Sequence, residues 1–434
     1  MAGKPGDSNN DKEEKLLLNL PKWKIWYVMV VIYFLYFLDF ATRAVVSPMF
    51  PILKKDLGLS DAQLGWLSTI VLAMVGLLSI PLSFLVDRWR RGRMISLMSI
   101  VWSIASFFSG LSAGFGQLLA TRGILGVGEA SFNSGGQALI MAMIKKARRA
   151  TVTGIWTTAT SLGMAFGMVI GGWMAVNMGW RTAFMVVAVP GIIFGILAWF
   201  MPDYKNRPKE ENDSSKASSI SFGSTMKAIL TNKTCISLYI SFGLLYYFLN
   251  TIVYWLPTYF TRYMGMDVAR AGSMTAVVMI SALIASPLGG WLGDVMSRKN
   301  PANKMLLAFL CVILSILCYV AAIVFNAWPL FFVVTFFSYM YIPAQHTASQ
   351  EIVPFYHRAS AYGIYIFCMF FLGGLWGPAV TGMVSDASNL QMGFWVNGAV
   401  ALVGSAGYFI TYRLFNGDYA AARKLEEGIV YEPA

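Results

Sequence analysis

The sequence predicts an all-α membrane protein with twelve transmembrane helices, arranged as two six-helix bundles related by pseudo-symmetry. Hydrophobic residues make up 57% of the chain and charged residues only 12%, whereas soluble proteins carry about 25% charged residues. Because a helix crosses the hydrocarbon layer with about 20 apolar residues, the 434 residues leave room for roughly twelve spans. The apolar runs are continuous, which excludes the alternating strands of a membrane barrel.

Apolar runs and polar interruptions predict the order of spans and domains. We expect an N-terminal tail over 1–25, an N-terminal bundle over 26–201, a linker over 202–233, a C-terminal bundle over 234–414 and a C-terminal tail over 415–434. The tails and the linker should be cytoplasmic. The linker contains KNRPKEENDSSKASS, which has the polar composition of a flexible segment.

The distribution of charge predicts the orientation in the membrane. Of the 33 Lys and Arg residues, 26 fall on the side of the termini and 5 on the other side, namely Lys54, Lys55, Arg181, Arg262 and Arg270. This is the positive-inside pattern. The sequence therefore predicts a multi-pass protein of the bacterial inner membrane with both termini cytoplasmic. The net charge of +12 then favours contact with anionic lipid and gives no reason to expect a nucleic-acid partner.

The residue patterns give no indication of an enzyme. The four cysteines, Cys235, Cys311, Cys318 and Cys368, lie in predicted helices without a CxxC spacing, so they are expected to pack as small apolar residues. Metal clusters, nucleophile elbows and phosphate loops are absent from the sequence pattern. We therefore expect no cofactor and no metal. We expect the protein to bind a small-molecule substrate without catalysing a reaction on it.

Four ionisable residues fall inside predicted spans. Asp39 and Arg43 lie in the first span, and Arg122 and Glu129 lie in the fourth. The spacings of four and seven residues put each pair on one helix face, with Tyr36, Asn133 and Gln137 on the same two faces. An ionisable group at membrane depth costs roughly 2.5 to 3.5 kcal/mol on the insertion scale, so such residues usually mark substrate or proton sites. Structural ion pairs are the alternative, most strongly for Arg122.

A charged loop recurs at the same place in both halves. Ser83 to Arg93 (SFLVDRWRRGR) follows the second span, and Gly290 to Lys299 (GWLGDVMSRK) follows the eighth. The pattern resembles the Gly-x-x-x-Asp-Arg-x-x-Arg loop of the major facilitator superfamily, with Ser83 in place of the first glycine. The resemblance implies the major facilitator fold, a substrate site near the membrane midplane between the halves, and gating roles for Asp87, Arg88, Arg91, Asp294 and Arg298.

The fourth-span string Arg122-x-x-x-Gly126-x-Gly128-Glu129-Ala130 resembles two branches of that superfamily. One branch is the anion:cation symporters, which carry sugar acids and other carboxylates, and the other is the spinster-like branch, which shares GVGEAS. Both have an adjacent Asp-Arg in the first span. The arginine aligns with Arg43, but Thr42 stands where the aspartate should be. We expect Asp39, one turn earlier, to take over the carboxylate role.

Neutral polar residues of the C-terminal half are candidates to complete the site. Tyr247, Asn250 and Tyr254 share a face of the seventh span, which also resembles the anion symporters in its WLPTY-like string. In the tenth span the candidates are Gln345 and His346, although a lone histidine is more often a packing residue. Trp255 and Tyr259 fit interfacial anchors better than ligands.

These patterns predict a proton-coupled symporter that imports a small organic anion by alternating access, as a monomer. The substrate site would comprise Arg43, Arg122, Tyr36, Asn133, Gln137, Tyr247, Asn250, Tyr254, Gln345 and His346, while Asp39 and Glu129 would carry protons. The sequence leaves open a spinster-like transporter of lysolipids or amphiphiles, a drug exporter and a transporter-like receptor. Met168, where drug antiporters carry a proline after glycine, weighs against an exporter.

The repeated loops generate a first prediction. Asp87→Asn and Asp294→Asn should each shift the protein toward inward-open states, because each removes a carboxylate that can accept hydrogen bonds across the cytoplasmic seam. Thiol accessibility of single cysteines placed along that seam would measure the shift. Unchanged labelling in both variants would contradict a gating role for the loops.

Overall fold

The chain folds as an all-helical bundle in a computed structural model that describes residues 20–88, 90–130, 132–144, 146–202, 229, 231–353 and 364–427. The predicted linker and N-terminal tail lie largely outside these residues, as does the end of the C-terminal tail from 428 onward. Within these ranges, ten helices are long and apolar enough to cross a membrane. Two further spans, each divided into two shorter helices, complete the twelve. The prediction of an all-α protein with twelve spans is confirmed.

Six spans form the N-terminal half. The first consists of Lys22–Ala44, a 3-10 turn over Ser47–Met49 and Phe50–Leu57. The next five are Asp61–Arg88, Arg91–Ser109, the pair Phe115–Glu129 and Phe132–Met143, Lys146–Asn177, and Trp180–Trp199.

Six more spans form the C-terminal half. They are Lys233–Tyr263, Val268–Ser297, Asn303–Val324, the pair Trp328–Met340 and Ile342–Glu351, the segment Ile364–Ala387, and Leu390–Glu427. The eleventh span contains a π-helical stretch over Met369–Gly374. The twelfth continues as helix beyond 414, where we expected the span to end.

Breaks occur near the middle of three spans. The fourth span is interrupted after Glu129 and the tenth at Tyr341, which are corresponding positions of the two halves. The first span is interrupted before Pro48, because proline lacks the N–H that a continuing helix needs. Each break leaves main-chain groups without a helical partner. In membranes such groups are tolerated only where protein or a water-filled cavity satisfies them.

Glycines allow the fifth span to approach its neighbours closely. Gly163, Gly167 and Gly171 face the main-chain carbonyls of Phe37, Ala41 and Val45 in the first span. A side chain at any of the three would collide with main chain, so glycine is needed there. The packing holds the part of the first span that carries Asp39 and Arg43.

The two halves meet tightly at the end of the bundle that the charge pattern predicts to face outward, which we call the outer end. Gly65 and Gly382 bring the second and eleventh spans into main-chain contact, and Gly172 and Gly272 do the same for the fifth and eighth. The outer end is therefore closed along both pairs of neighbouring spans.

Asp61, a buried residue at the start of the second span, is the centre of an ionic network at this end. Its carboxylate binds Arg262 of the seventh span at 2.5 and 2.6 Å and Lys54 at 2.6 Å, and it accepts a hydrogen bond from Ser385. The carboxylate of Asp386 in the eleventh span accepts hydrogen bonds from the main-chain N–H groups of Asp61 and Ala62, at 2.8 and 2.7 Å. One carboxylate of the N-terminal half thus binds two spans of the C-terminal half.

The Asp61 network generates a second prediction. Asp61→Asn should increase the outward-open population, because the amide removes the negative charge that holds Arg262 and Lys54. Labelling of Thr258→Cys, which is fully buried, with a membrane-impermeant thiol reagent would measure the opening. Asp267→Asn is the matched control, since Asp267 is exposed and caps only its own helix. Equal labelling of the two variants would contradict a closing role for Asp61.

Candidate functional site

Arg43 is held by two carboxylates at the middle of the membrane-spanning region. Its Nε atom lies 3.0 Å from Oδ1 of Asp39 and 2.7 Å from Oε2 of Glu129, and its Nη2 atom lies 3.4 Å from Oδ2 of Asp39. The Nε–H is aligned on Asp39, so the contact with Glu129 is an ion pair without hydrogen-bond geometry. The three charges join the first and fourth spans.

Asp39 and Glu129 are both 2% exposed, and both contact the same Nε atom of Arg43, at 3.0 and 2.7 Å, which holds the two carboxyl groups close together. Two carboxyl groups at such a distance are stable together only if a neighbouring cation or a shared proton offsets their repulsion. Arg43 supplies the cation. The arrangement therefore couples the position of Arg43 to the protonation of the pair.

Thr42 stands where the resemblance led us to expect an aspartate, and its side chain adds no charge to the cluster. Its hydroxyl donates to the main-chain carbonyls of Leu38 and Asp39 at 3.0 and 2.8 Å and lies 3.5 Å from Oε1 of Glu129. Asp39 occupies the position next to Arg43 that a carboxylate role requires. Its assignment as a proton carrier stays a prediction.

Arg122 is fully buried and binds main chain. Its guanidinium donates to the carbonyls of Leu67, Thr42 and Arg43 at 3.3, 3.0 and 3.2 Å. The last two carbonyls lie at the end of the first helix of the first span, where the break before Pro48 removes their helical partners. A guanidinium stabilises such a helix end because the carbonyls carry partial negative charge. This geometry accounts for Arg122 without a substrate.

Three tyrosines of the C-terminal half lie near the charges. Tyr246 and Tyr254 of the seventh span are close enough to Arg43 to interact electrostatically, and Tyr254 also interacts with Arg122. Tyr339 of the tenth span lies beside both tyrosines. The hydroxyls of Tyr254 and Tyr339 have no hydrogen-bond partner among the described residues. Phenol groups of the opposite half thus lie within electrostatic range of the charged cluster.

Other predicted site residues of the C-terminal half contact their own bundle. The hydroxyl of Tyr247 lies beside Thr381 of the eleventh span, and the amide of Asn250 donates to the carbonyl of Tyr246 at 2.8 Å. Gln345 is hydrogen-bonded through both ends of its amide, to Tyr365 and to Tyr408. The ring of His346 packs edge-on against Phe242 and Tyr365. Of this set, the structure brings only Tyr254 to Arg43.

Tyr36 belongs to an aromatic stack beside the charges. Its ring lies parallel to Trp156 with centroids 4.1 Å apart and also contacts Phe132 and Phe40. Phe40 in turn lies 4.8 Å from the guanidinium carbon of Arg43. The stack supports the cluster from the N-terminal half.

The remaining predicted residues lie away from this cluster or outside the description. The side chains of Asn133, Gln137, Asp87 and Arg88 are outside the described part of the chain, whereas Arg91 is buried at the start of the third span. Asp294 and Arg298 are exposed at the end of the eighth. Gating by these loops stays a prediction.

Sequence reasoning missed Tyr246, Tyr339 and Asp61. Tyr246, Asn250 and Tyr254 are spaced four residues apart, so they share a helix face. Helical periodicity therefore does not distinguish this face from the one that contains Tyr247. Asp61 follows the predicted outer loop, where a carboxylate is usually solvated. The sequence did contain one indication of its role. Several cations, including Lys54 and Arg262, are predicted on the same outer side and could pair with it.

The geometry of Arg122 generates a third prediction. Arg122→Lys should lower the thermal stability of the ligand-free protein, by on the order of 1 to 3 kcal/mol, because an ammonium cannot match the planar contact with three carbonyls. Differential scanning fluorimetry would measure the change, with exposed Arg413→Lys as the control. Unchanged stability together with lost ligand binding would instead make Arg122 a substrate contact.

Comparisons with known proteins agree with this fold and place the chain among transporters. The chain is 24% identical to a hexuronate transporter of Bacillus subtilis (strain 168), over 85% of this chain and 90% of that protein. It is 23% identical to a cis,cis-muconate transport protein of Acinetobacter baylyi, over 91% of this chain and 95% of that protein.

Solved structures show the same fold. A crystal structure of a bacterial homologue of the human lysosomal transporter spinster, inward-facing and unoccupied, matches with a TM-score of 0.81 and 23% identity. The match covers 92% of this chain and 99% of that one. Residues 32–378 match the Major Facilitator Superfamily. The chain therefore belongs to the Major Facilitator Superfamily and is a multi-pass membrane transporter, not an enzyme.

Proposed function

We propose that the protein is a proton-coupled symporter that imports a small organic anion by alternating access. The observation that carries the proposal is the position of Arg43 between Asp39 and Glu129, at 3.0 and 2.7 Å. A substrate carboxylate and the two protein carboxylates are chemically equivalent partners for the guanidinium. They therefore compete for it, and protonation of the protein carboxylates favours the substrate.

The charge balance of the cluster supports coupling to protons. With both carboxylates ionised, Asp39, Glu129, Arg43 and Arg122 have a net charge of zero. An anion brought into this buried cluster would leave an unpaired negative charge at a depth where such a charge is costly. One proton on the carboxyl pair restores neutrality, so the anion and the proton stabilise each other in the site.

Unused hydrogen-bond donors support the assignment of the anion to Arg43. Among the described residues, Nη1 of Arg43 has no hydrogen-bond partner, and neither do the hydroxyls of Tyr254 and Tyr339. A guanidinium N–H and phenolic O–H groups are suitable donors to a carboxylate. Arg43 belongs to the N-terminal half and the tyrosines to the C-terminal half, so an anion held by both bridges the two halves.

Relatives support organic acids as the substrate class. The chain resembles transporters of hexuronate and of cis,cis-muconate along most of its length, and both are carboxylates. The charge pattern of the loops supports the inner membrane with cytoplasmic termini. We place the protein there as a monomer in contact with anionic lipid.

A spinster-like transporter of amphiphiles is the second candidate. It is favoured by the GVGEAS string and by a cavity of about 70 Å³ between the second and eleventh spans, which is lined only by apolar residues. An amphiphile would use this cavity for its chain. The two candidates differ in whether a small carboxylate or a long chain determines affinity.

Proton coupling generates a fourth prediction. Glu129→Gln should abolish accumulation driven by a proton gradient and leave substrate exchange largely intact, because the amide keeps the shape of the side chain but cannot titrate. Both activities would be measured in proteoliposomes, and dissipating the gradient should make the parent match the variant. Loss of exchange together with accumulation would assign Glu129 a structural role.

Anion binding generates a fifth prediction. Arg43→Lys should leave the protein folded but weaken substrate binding by on the order of 1 to 3 kcal/mol, because the ammonium cannot pair with a carboxylate through two parallel hydrogen bonds. Isothermal titration with a bound acid would measure affinity, and a melting curve would confirm folding. Parental affinity in the folded variant would make Arg43 a structural partner of Asp39.

A further inference from the structure

Tyr246, Tyr254 and Tyr339 of the C-terminal half lie near Arg43, and we call these three side chains the aromatic wall. We infer that the site selects organic acids with a flat, apolar body, that is aromatic carboxylates, over polyhydroxylated sugar acids. The inference rests on the proposed function, because it assumes that the carboxylate of the substrate binds Arg43.

Tyr246 and Tyr339 lie near the midpoints of their spans, Lys233–Tyr263 and 328–351, and both are partly exposed. Tyr246 interacts electrostatically with Arg43, and Tyr339 interacts electrostatically with Tyr246, so both rings lie in the neighbourhood of the charges. A ring bound there would gain ring-to-ring contacts in addition to the burial of its apolar surface.

Two amides of this half that were predicted to line the site, those of Asn250 and Gln345, already make hydrogen bonds within the half. Asn250 donates to the main-chain carbonyl of Tyr246 at 2.8 Å, and Gln345 is bound at both ends of its amide by Tyr365 and Tyr408. Each hydroxyl of a bound polyol that finds no partner carries a desolvation penalty. An aromatic acid buries no such hydroxyls.

The aromatic wall continues into the apolar cavity between the halves. Phe370, on the π-helical stretch of the eleventh span, contacts Tyr246 edge-on at a centroid distance of 5.6 Å and lines the cavity of about 70 Å³. Leu72, Ala73 and Gly76 of the second span form the opposite side. Tyr246, which interacts electrostatically with Arg43 and contacts Phe370, therefore links the proposed carboxylate position to this cavity.

Three acids of similar size test the inference. Benzoate is flat and aromatic, cyclohexanecarboxylate is apolar but not flat, and gluconate is a polyol. Binding to the purified full chain would be measured by competition and by thermal shift. We expect benzoate to bind at least about tenfold more tightly than gluconate, since one unpaired hydroxyl already accounts for such a factor, with cyclohexanecarboxylate between them.

Variants of the aromatic wall test its origin. Tyr246→Leu and Phe370→Leu should each weaken benzoate binding about twofold to tenfold, the range expected for one aromatic pair, and leave gluconate unchanged. Tyr246→Phe should keep the preference because it keeps the ring. Phe409→Leu, at a residue that is 41% exposed in the twelfth span, is the control for a lost phenylalanine.

The outcomes separate this inference from the proposed function. Gluconate binding as tightly as benzoate, with affinity still dependent on Arg43, overturns the aromatic selectivity and leaves the anion symporter standing. Benzoate binding that depends on Tyr246 but is unchanged in Arg43→Lys overturns the carboxylate site instead. Oleate or lysophospholipid binding more tightly than benzoate overturns the inference in favour of an amphiphile, and absence of binding by all three acids overturns both proposals.

Discussion

The site depends on the placement of one guanidinium, that of Arg43, between two buried carboxylates. Asp39 comes from the same helix and Glu129 from the fourth span, so the contact ties two spans together at mid-membrane. A charge at that depth is tolerated only with a partner. Much of the N-terminal half provides the conditions for this contact. Glycines of the fifth span hold the first span closely, and Arg122 satisfies the carbonyls that the break before Pro48 exposes.

The two halves have different chemical characters at the midplane. Charges come from the N-terminal half, whereas Tyr246, Tyr254 and Tyr339 come from the C-terminal half. Because Asp39, Arg43, Glu129 and Arg122 belong to one bundle, their mutual contacts need not break when the halves move apart. What changes in such a movement is the phenolic cover. The arrangement therefore separates charge compensation, which is internal to one half, from substrate enclosure, which needs both halves.

The sequence was sufficient for the twelve spans and for the four charges at membrane depth, because continuous apolar runs and isolated ionisable residues are strong signals. It was insufficient where a choice depended on packing. Tyr246 and Tyr247 are adjacent, so they differ by about 100° around the helix. Either tyrosine has a spacing to Asn250 and Tyr254 that is compatible with one helix face. The binding of Arg122 to carbonyls instead of to a carboxylate likewise depends on the break in the first span. Asp61 required knowledge of which spans of opposite halves meet at the outer end.

Closure of the outer end and assembly of the site are connected through the first and seventh spans. Ser47, four residues after Arg43, donates hydrogen bonds to the carbonyls of Val253 and Tyr254 at 3.2 and 2.8 Å. Farther out on the same spans, Lys54 and Arg262 share the carboxylate of Asp61. A separation of the two spans at the outer end must therefore break the Asp61 network and also remove Tyr254 from Arg43. An anion held by both residues stabilises the closed outer end, because it adds a contact that only this arrangement provides. In the proposed mechanism, release of the anion lets Arg43 return to Asp39 and Glu129, which favours loss of their proton. Under the proposed function, substrate, proton and outer closure act on one element, the contact between the first and seventh spans.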